Sequence, residues 1–178
     1  MILFSRLSLP SAVLAATLLT GISQVQAADL DVTVGLPKLD VAEYHKPYVA
    51  VWIENADNQV VSNLAVWYDT KKQNKGGEKW LKDLRQWWRR GGRSMDLPVD
   101  GVSGATQGPG EHSLHFTLGN EPLAALAKGD YRLRVEAARE VGGRELLEIP
   151  FSWPQSSEQR LTADGSNELT TVSLTIKP

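Results

Sequence analysis

The stretch Tyr131-Arg132-Leu133-Arg134-Val135-Glu136-Ala137-Ala138-Arg139-Glu140-Val141-Gly142-Gly143-Arg144-Glu145-Leu146-Leu147-Glu148-Ile149-Pro150-Phe151-Ser152-Trp153 decides the fold. Tyr131, Leu133, Val135 and Ala137 alternate with Arg132, Arg134 and Glu136, so one face is apolar and the other charged. That period of two belongs to a half-buried strand. Gly142-Gly143 reverses the chain, and residues 145–153 run back as the second arm of an antiparallel hairpin.

Working outward from this hairpin, the same chemistry recurs. Residues 31–36 place Val32, Val34 and Leu36 on one side. Residues 48–54 and 64–69 are β-branched and aromatic, and the short connection between them is rich in Asn and Asp, which suits an antiparallel pair. Residues 112–118 carry Leu114, Phe116 and Leu118 inward, and residues 168–177 alternate again. The polar stretch 155–167 reads as a long connection, and residues 122–127 as a single helical turn. Only residues 78–90 change period: Trp80, Leu81, Leu84, Trp87 and Trp88 share one face of an amphipathic helix. Glu78 in its first turn and Arg89-Arg90 in its last agree with the helix dipole, and Gly91-Gly92 can end it. Seven or eight short strands and one helix define a mainly β chain, an antiparallel β-sandwich of immunoglobulin-like architecture.

The chain has 178 residues, enough for one core. Residues 1–27 have the form of a signal peptide. Arg6 precedes an apolar run from position 12 to 19, and Val25-Gln26-Ala27 before Ala28 fits the small-residue cleavage rule. The apolar run is too short to span a bilayer, so no integral membrane segment is expected. Residues 28–178 are then expected to form a single periplasmic domain. There is no Cys, which removes disulfides and thiolate metal sites from consideration. A formal net charge of −2 argues against nucleic acid as a partner.

The three histidines, His45, His112 and His115, give few routes to a metal site or a triad. His112 and His115 lie three apart in an expected strand and so point to opposite faces. No nucleophile elbow, phosphate-binding loop or zinc-protease motif occurs. No self-sufficient catalytic residues are assigned, and reactivity would have to come from a cofactor.

One stretch is unlike the rest. Asp100-Gly101-Val102-Ser103-Gly104-Ala105-Thr106 is a run of small residues ending in a hydroxyl, inside a long connection from position 93 to 110. It fits Asp-x-x-Ser/Thr-Gly-Ala-Ser/Thr, which resembles the recognition motif of the ApbE-type flavin transferases. Five such constrained positions arise by chance in a chain of this length roughly once in a thousand. Residues 29–178 also resemble a family of predicted periplasmic β-rich domains of unknown function in which the motif recurs.

The resemblance implies FMN covalently attached to Thr106 through its phosphate, with Asp100, Ser103, Gly104 and Ala105 as the recognition platform of a Mg²⁺-using flavin transferase. In the subunits of sodium-pumping quinone reductases and Rnf-type complexes that share the motif, the flavin relays electrons. By extension this chain would be a periplasmic electron-transfer protein fed by a membrane-bound reductase, an electron carrier rather than a stand-alone enzyme. Its fold, however, is not the usual FMN-binding domain of the quinone reductases. By proximity along the chain, Trp80, Trp87 or Trp88 would offer a stacking face for the ring. Arg90, with Arg85, Arg89 and Arg93, would meet the phosphate. The alternative for the tryptophans is core packing, and for the arginines a solvated basic face. For the whole chain, the alternative is an immunoglobulin-like periplasmic binding or assembly module without a redox role.

Overall fold

The computed structural model describes residues 28–123 and 125–178. The expected signal peptide, residues 1–27, lies outside the described residues. Nine strands follow one another: β1 (Asp29–Leu36), β2 (Tyr48–Asn55), β3 (Val60–Tyr68), β4 (Ser103–Ala105), β5 (Gly110–Thr117), β6 (Gly129–Ala138), β7 (Arg144–Trp153), β8 (Gln159–Asp164) and β9 (Thr171–Lys177). They form a four-stranded sheet in the order β5-β1-β9-β8 and a five-stranded sheet in the order β4-β3-β2-β6-β7.

The alternating residues of the sequence become the inner faces of a sandwich. Leu30, Val32 and Val34 from β1 and Val172, Leu174 and Ile176 from β9 are sealed from solvent. They meet Val49, Val51 and Ile53 of β2 and Leu133, Val135 and Ala137 of β6 in one core. Side chains from facing sheets interdigitate in this way wherever each strand has one apolar side. The expected β6–β7 hairpin forms, with Leu133 opposite Ile149 and Ala138 opposite Arg144.

β2 departs from simple alternation, because all six of its inner residues are buried. Its second face, carrying Ala50 and Trp52, is covered by a third layer. That layer includes Leu81, Leu84, Trp87, Leu97 and Val102. A strand covered on both sides reads as a continuous apolar run, and Val49 to Ile53 is such a run.

The expected amphipathic helix over 78–90 is present as two pieces. Glu78–Asp83 is a 3-10 turn, and α1 occupies Arg85–Arg90. Leu84, with φ −74° and ψ 71°, breaks the hydrogen-bond ladder between them. The cause lies in the neighbouring sheet. The buried carboxylate of Glu136 accepts the backbone N–H groups of Gln86 and Trp87 at 3.0 and 2.9 Å, so the helix starts where that anion sits. Leu81, Leu84 and Trp87 still face the core as the spacing required, whereas Trp80 is 43% exposed.

Three further expectations are corrected. Residues 155–167 are not one connection, since they contain β8. It is an edge strand whose outward residues are exposed, which is why its sequence is polar. No helix forms among the described residues of 122–127. The five-stranded sheet is also not wholly antiparallel, because β4 joins β3 in parallel.

Candidate functional site

β4 is the middle of the Asp100–Thr106 motif. Val66, Trp67 and Tyr68 of β3 stand opposite Ser103, Gly104 and Ala105. The Val66 amide donates to the Val102 carbonyl at 2.8 Å, and the Thr106 amide donates to the Tyr68 carbonyl at 3.2 Å. Residues 102–106 of the motif therefore lie along the C-terminal end of β3, and Thr106 emerges where β3 finishes.

Each small residue in it has a local reason. The chain turns through Gly101 at φ +72°, a conformation that favours glycine. The turn is closed by Val102 and Ser103 amides donating to the Val99 carbonyl, and by the Ser103 hydroxyl accepting from the Val99 amide at 2.9 Å. A Cβ on Gly104 would stand 3.1 Å from Cδ1 of Trp67, an indole that packs edge-on against His112. Asp100 and Ala105 are exposed, while Thr106 is half-buried.

Thr106 lies on the wall of a half-open cavity of about 280 Å³. Four aromatic rings line it: Tyr44, His45, Tyr48 and Trp80, the imidazole standing 3.2 Å from Glu43 and 3.8 Å from Glu140. Tyr48 is fixed by donating its hydroxyl to the Gly77 carbonyl at 3.1 Å and by an edge contact with Tyr68. Burial pushes the phenols of Tyr44 and Tyr48 above their ordinary range, so both are neutral near pH 7. The cations at the cavity are Lys46, Lys72 and Arg139, and the carboxylates are Asp69, Asp83 and Glu140. Arg139 is already engaged. It forms a bidentate pair with Glu168 at 2.9 and 3.0 Å, which holds its guanidinium above the usual range.

The other residues expected near the attachment point stand elsewhere. Trp87 is fully buried and donates its indole N–H to Asn63 at 2.9 Å, so it has no free face for a ring. Trp88 is half-buried, packed against Trp87 and the third layer. Arg90 donates to the Asn58 carbonyl at 3.1 Å, and its Nε is 3.6 Å from the buried Glu54 carboxylate. Asn58 lies in the β2–β3 turn, at the opposite end of β3 from Tyr68. Of the three candidate indoles only Trp80 reaches the cavity, because the break at Leu84 separates its turn from α1. Tyr44, Tyr48, Lys72 and Arg139 had no shared motif; the chain crossings of the sheet bring them together.

His112 and His115 are separated as the strand period required. His112 meets the Gly108 carbonyl at 2.8 Å, and His115 pairs with Asp31 at 2.6 Å. Among the described residues no cluster of three His, Cys, Asp or Glu could hold a metal ion. No described helix is long and apolar enough to cross a membrane.

Fold and site together define a mainly β, two-sheet domain with a helical cover and a hydroxyl-bearing motif on one sheet edge. A family model described as "Predicted periplasmic protein (DUF2271)" matches residues 29–171. The chain belongs to that family, and the protein is periplasmic. No curated protein and no solved structure matches it.

Proposed function

We propose that this protein is a periplasmic electron carrier bearing FMN covalently on Thr106. What supports the reading is the placement of the Asp100–Thr106 stretch, which resembles a flavin-transferase motif, on a sheet edge, with Thr106 lining an aromatic-walled cavity. The donor set fits the group: aromatic faces suit a flat ring, and lysines suit phosphate and ring-edge oxygens.

In the loading reaction the Thr106 Oγ1–P bond forms and the P–O–P bond of FAD breaks. AMP leaves, and the hydroxyl proton passes to a base of the transferase. Asp100 and the Ser103-Gly104-Ala105 backbone form the surface the transferase reads. Outside the cytoplasm a dissociable flavin would be diluted away, so a covalent link retains it. Once bound, FMN supplies reversible electron transfer, and the protein holds and orients it. A membrane-bound reductase is the electron donor this reading implies.

Co-expression with a flavin transferase tests the reading. The intact chain should gain the mass of one FMN less one water and fluoresce on a denaturing gel, and Thr106→Ala should abolish both. A chain that stays unmodified in a competent host overturns it and leaves a binding or assembly module.

A further inference from the structure

We infer that the cavity walled by Tyr44, Tyr48 and Trp80 is the seat of the flavin ring, with Trp80 its stacking face; this rests on attachment at Thr106. Four observations converge on the seat. Thr106 is itself a wall residue, so a ring tethered there needs only to fold back along its ribityl chain. The volume, about 280 Å³, lies at the lower limit of small-molecule pockets, which run from about 300 Å³ upward. It suits one flat ring system more than a whole free nucleotide.

The third observation is Trp80. An indole left 43% exposed is unusual in a chain that buries Trp52, Trp67 and Trp87 almost completely. Its neighbour Leu81 is fully buried in the third layer, so the turn is anchored and the indole is held outward by design of the backbone. The exposed large hydrophobics among the described residues are Val41, Trp80 and Val141. Of these three, Trp80 is the one that lines the cavity.

The fourth observation is charge. Arg139 is paired with Glu168, which leaves Lys46 and Lys72 beside Asp69, Asp83 and Glu140, with His45 among them. The lining therefore offers hydrogen bonds to the polar edge of an uncharged ring without a strong field of either sign. Lys72, which lines the cavity together with Thr106, is a donor for the phosphodiester or the ring carbonyls.

The test uses full-length protein loaded by the transferase, with attachment at Thr106 verified by intact mass in every sample. Flavin fluorescence and its quenching by iodide are then compared in the native protein, after unfolding in urea, and in Trp80→Leu and Trp88→Leu. A stacked ring is quenched and shielded. Fluorescence should rise on unfolding, and Trp80→Leu should raise the native signal about two- to tenfold, the population shift that aromatic stacking supports. Trp88→Leu should leave it unchanged. Circular dichroism in the visible band gives a second measure, induced in the native protein and diminished in Trp80→Leu.

Loaded protein whose flavin is as bright and as iodide-accessible as the unfolded chain, and unaffected by Trp80→Leu, overturns the seat while leaving the attachment standing. Absence of the added mass overturns the attachment, and the seat with it. A far-ultraviolet spectrum identical to wild type establishes that Trp80→Leu is folded; Trp80→Phe, which keeps an aromatic face, should give an intermediate signal.

Discussion

At the scale of single residues, Gly104 is the position where sequence motif and packing make the same demand. Its Cα lies so close to the Trp67 indole that a methyl group would stand 3.1 Å from Cδ1. Trp67 is 5% exposed and wedged against His112, so it has little room to retreat. Gly104→Val should therefore destabilise the protein by about 1–3 kcal/mol, the usual cost of overfilling a packed site. The measurement is a urea midpoint on the unloaded chain. Unchanged stability would mean that packing against Trp67 does not require the glycine. The arginines teach the converse lesson. Glu54 is fully buried with Arg90, Arg132 and Arg134 all between 3.6 and 3.8 Å from its carboxylate. Of Arg85, Arg89, Arg90 and Arg93, which read as a phosphate site along the chain, Arg90 is thus engaged by a carboxylate of β2.

At the scale of elements, α1 begins on an anion rather than on a capping side chain of its own. Glu136 projects from β6 and accepts from the Gln86 and Trp87 amides and from Arg144 at 2.9 Å. Glu136→Gln replaces one acceptor oxygen with an NH₂ group facing N–H donors. It should cost about 1–3 kcal/mol, as expected for buried donors left without a partner, and should loosen Trp87 in its bed. Hydrogen exchange at the Gln86 and Trp87 amides, faster in the variant while β6 remains protected, would locate the effect at the helix start. This contact also explains why the helix was legible only in part. The apolar spacing of Leu81, Leu84 and Trp87 reports which residues are buried, but the break at Leu84 is imposed by a charge on β6 that no local pattern contains. β8 is the opposite case. Its polar edge-strand composition resembles a loop because only one of its faces meets the core.

At the scale of the whole molecule, a carboxylate and a guanidinium from the β6–β7 hairpin tie the five-stranded sheet to the approach to β9 in the other sheet. Glu145 accepts the amides of Ser166, Asn167 and Leu169 at 2.7, 3.0 and 2.9 Å, while Glu168 receives Arg139. Burial raises the Glu145 carboxyl, but the three amides and the Ser166 hydroxyl outweigh it and hold it below its ordinary 4.5. A carboxyl depressed on folding stabilises the protein fully above its unfolded value. That contribution disappears as pH falls from there through the lower folded value. Thermal melts of wild type and Glu145→Gln should accordingly differ near pH 7, begin to approach one another as pH falls below the unfolded value of about 4.5, and converge only below the depressed folded value. A gap that persists at low pH would assign the effect to packing instead.

The sequence by itself determined the strands other than β4 and β8, the sandwich they make and the motif that ends at Thr106, because alternation and turn chemistry are local properties of the chain. Tertiary structure alone decided that this motif becomes a parallel edge strand on β3. It also decided that Trp80 rather than Trp87 or Trp88 shares a cavity with Thr106, and that Tyr44, Tyr48 and Arg139 complete that cavity. These depend on which distant segments cross the same sheet and on where a buried charge such as Glu136 stops a helix. Nearest-neighbour periodicity carries no record of either.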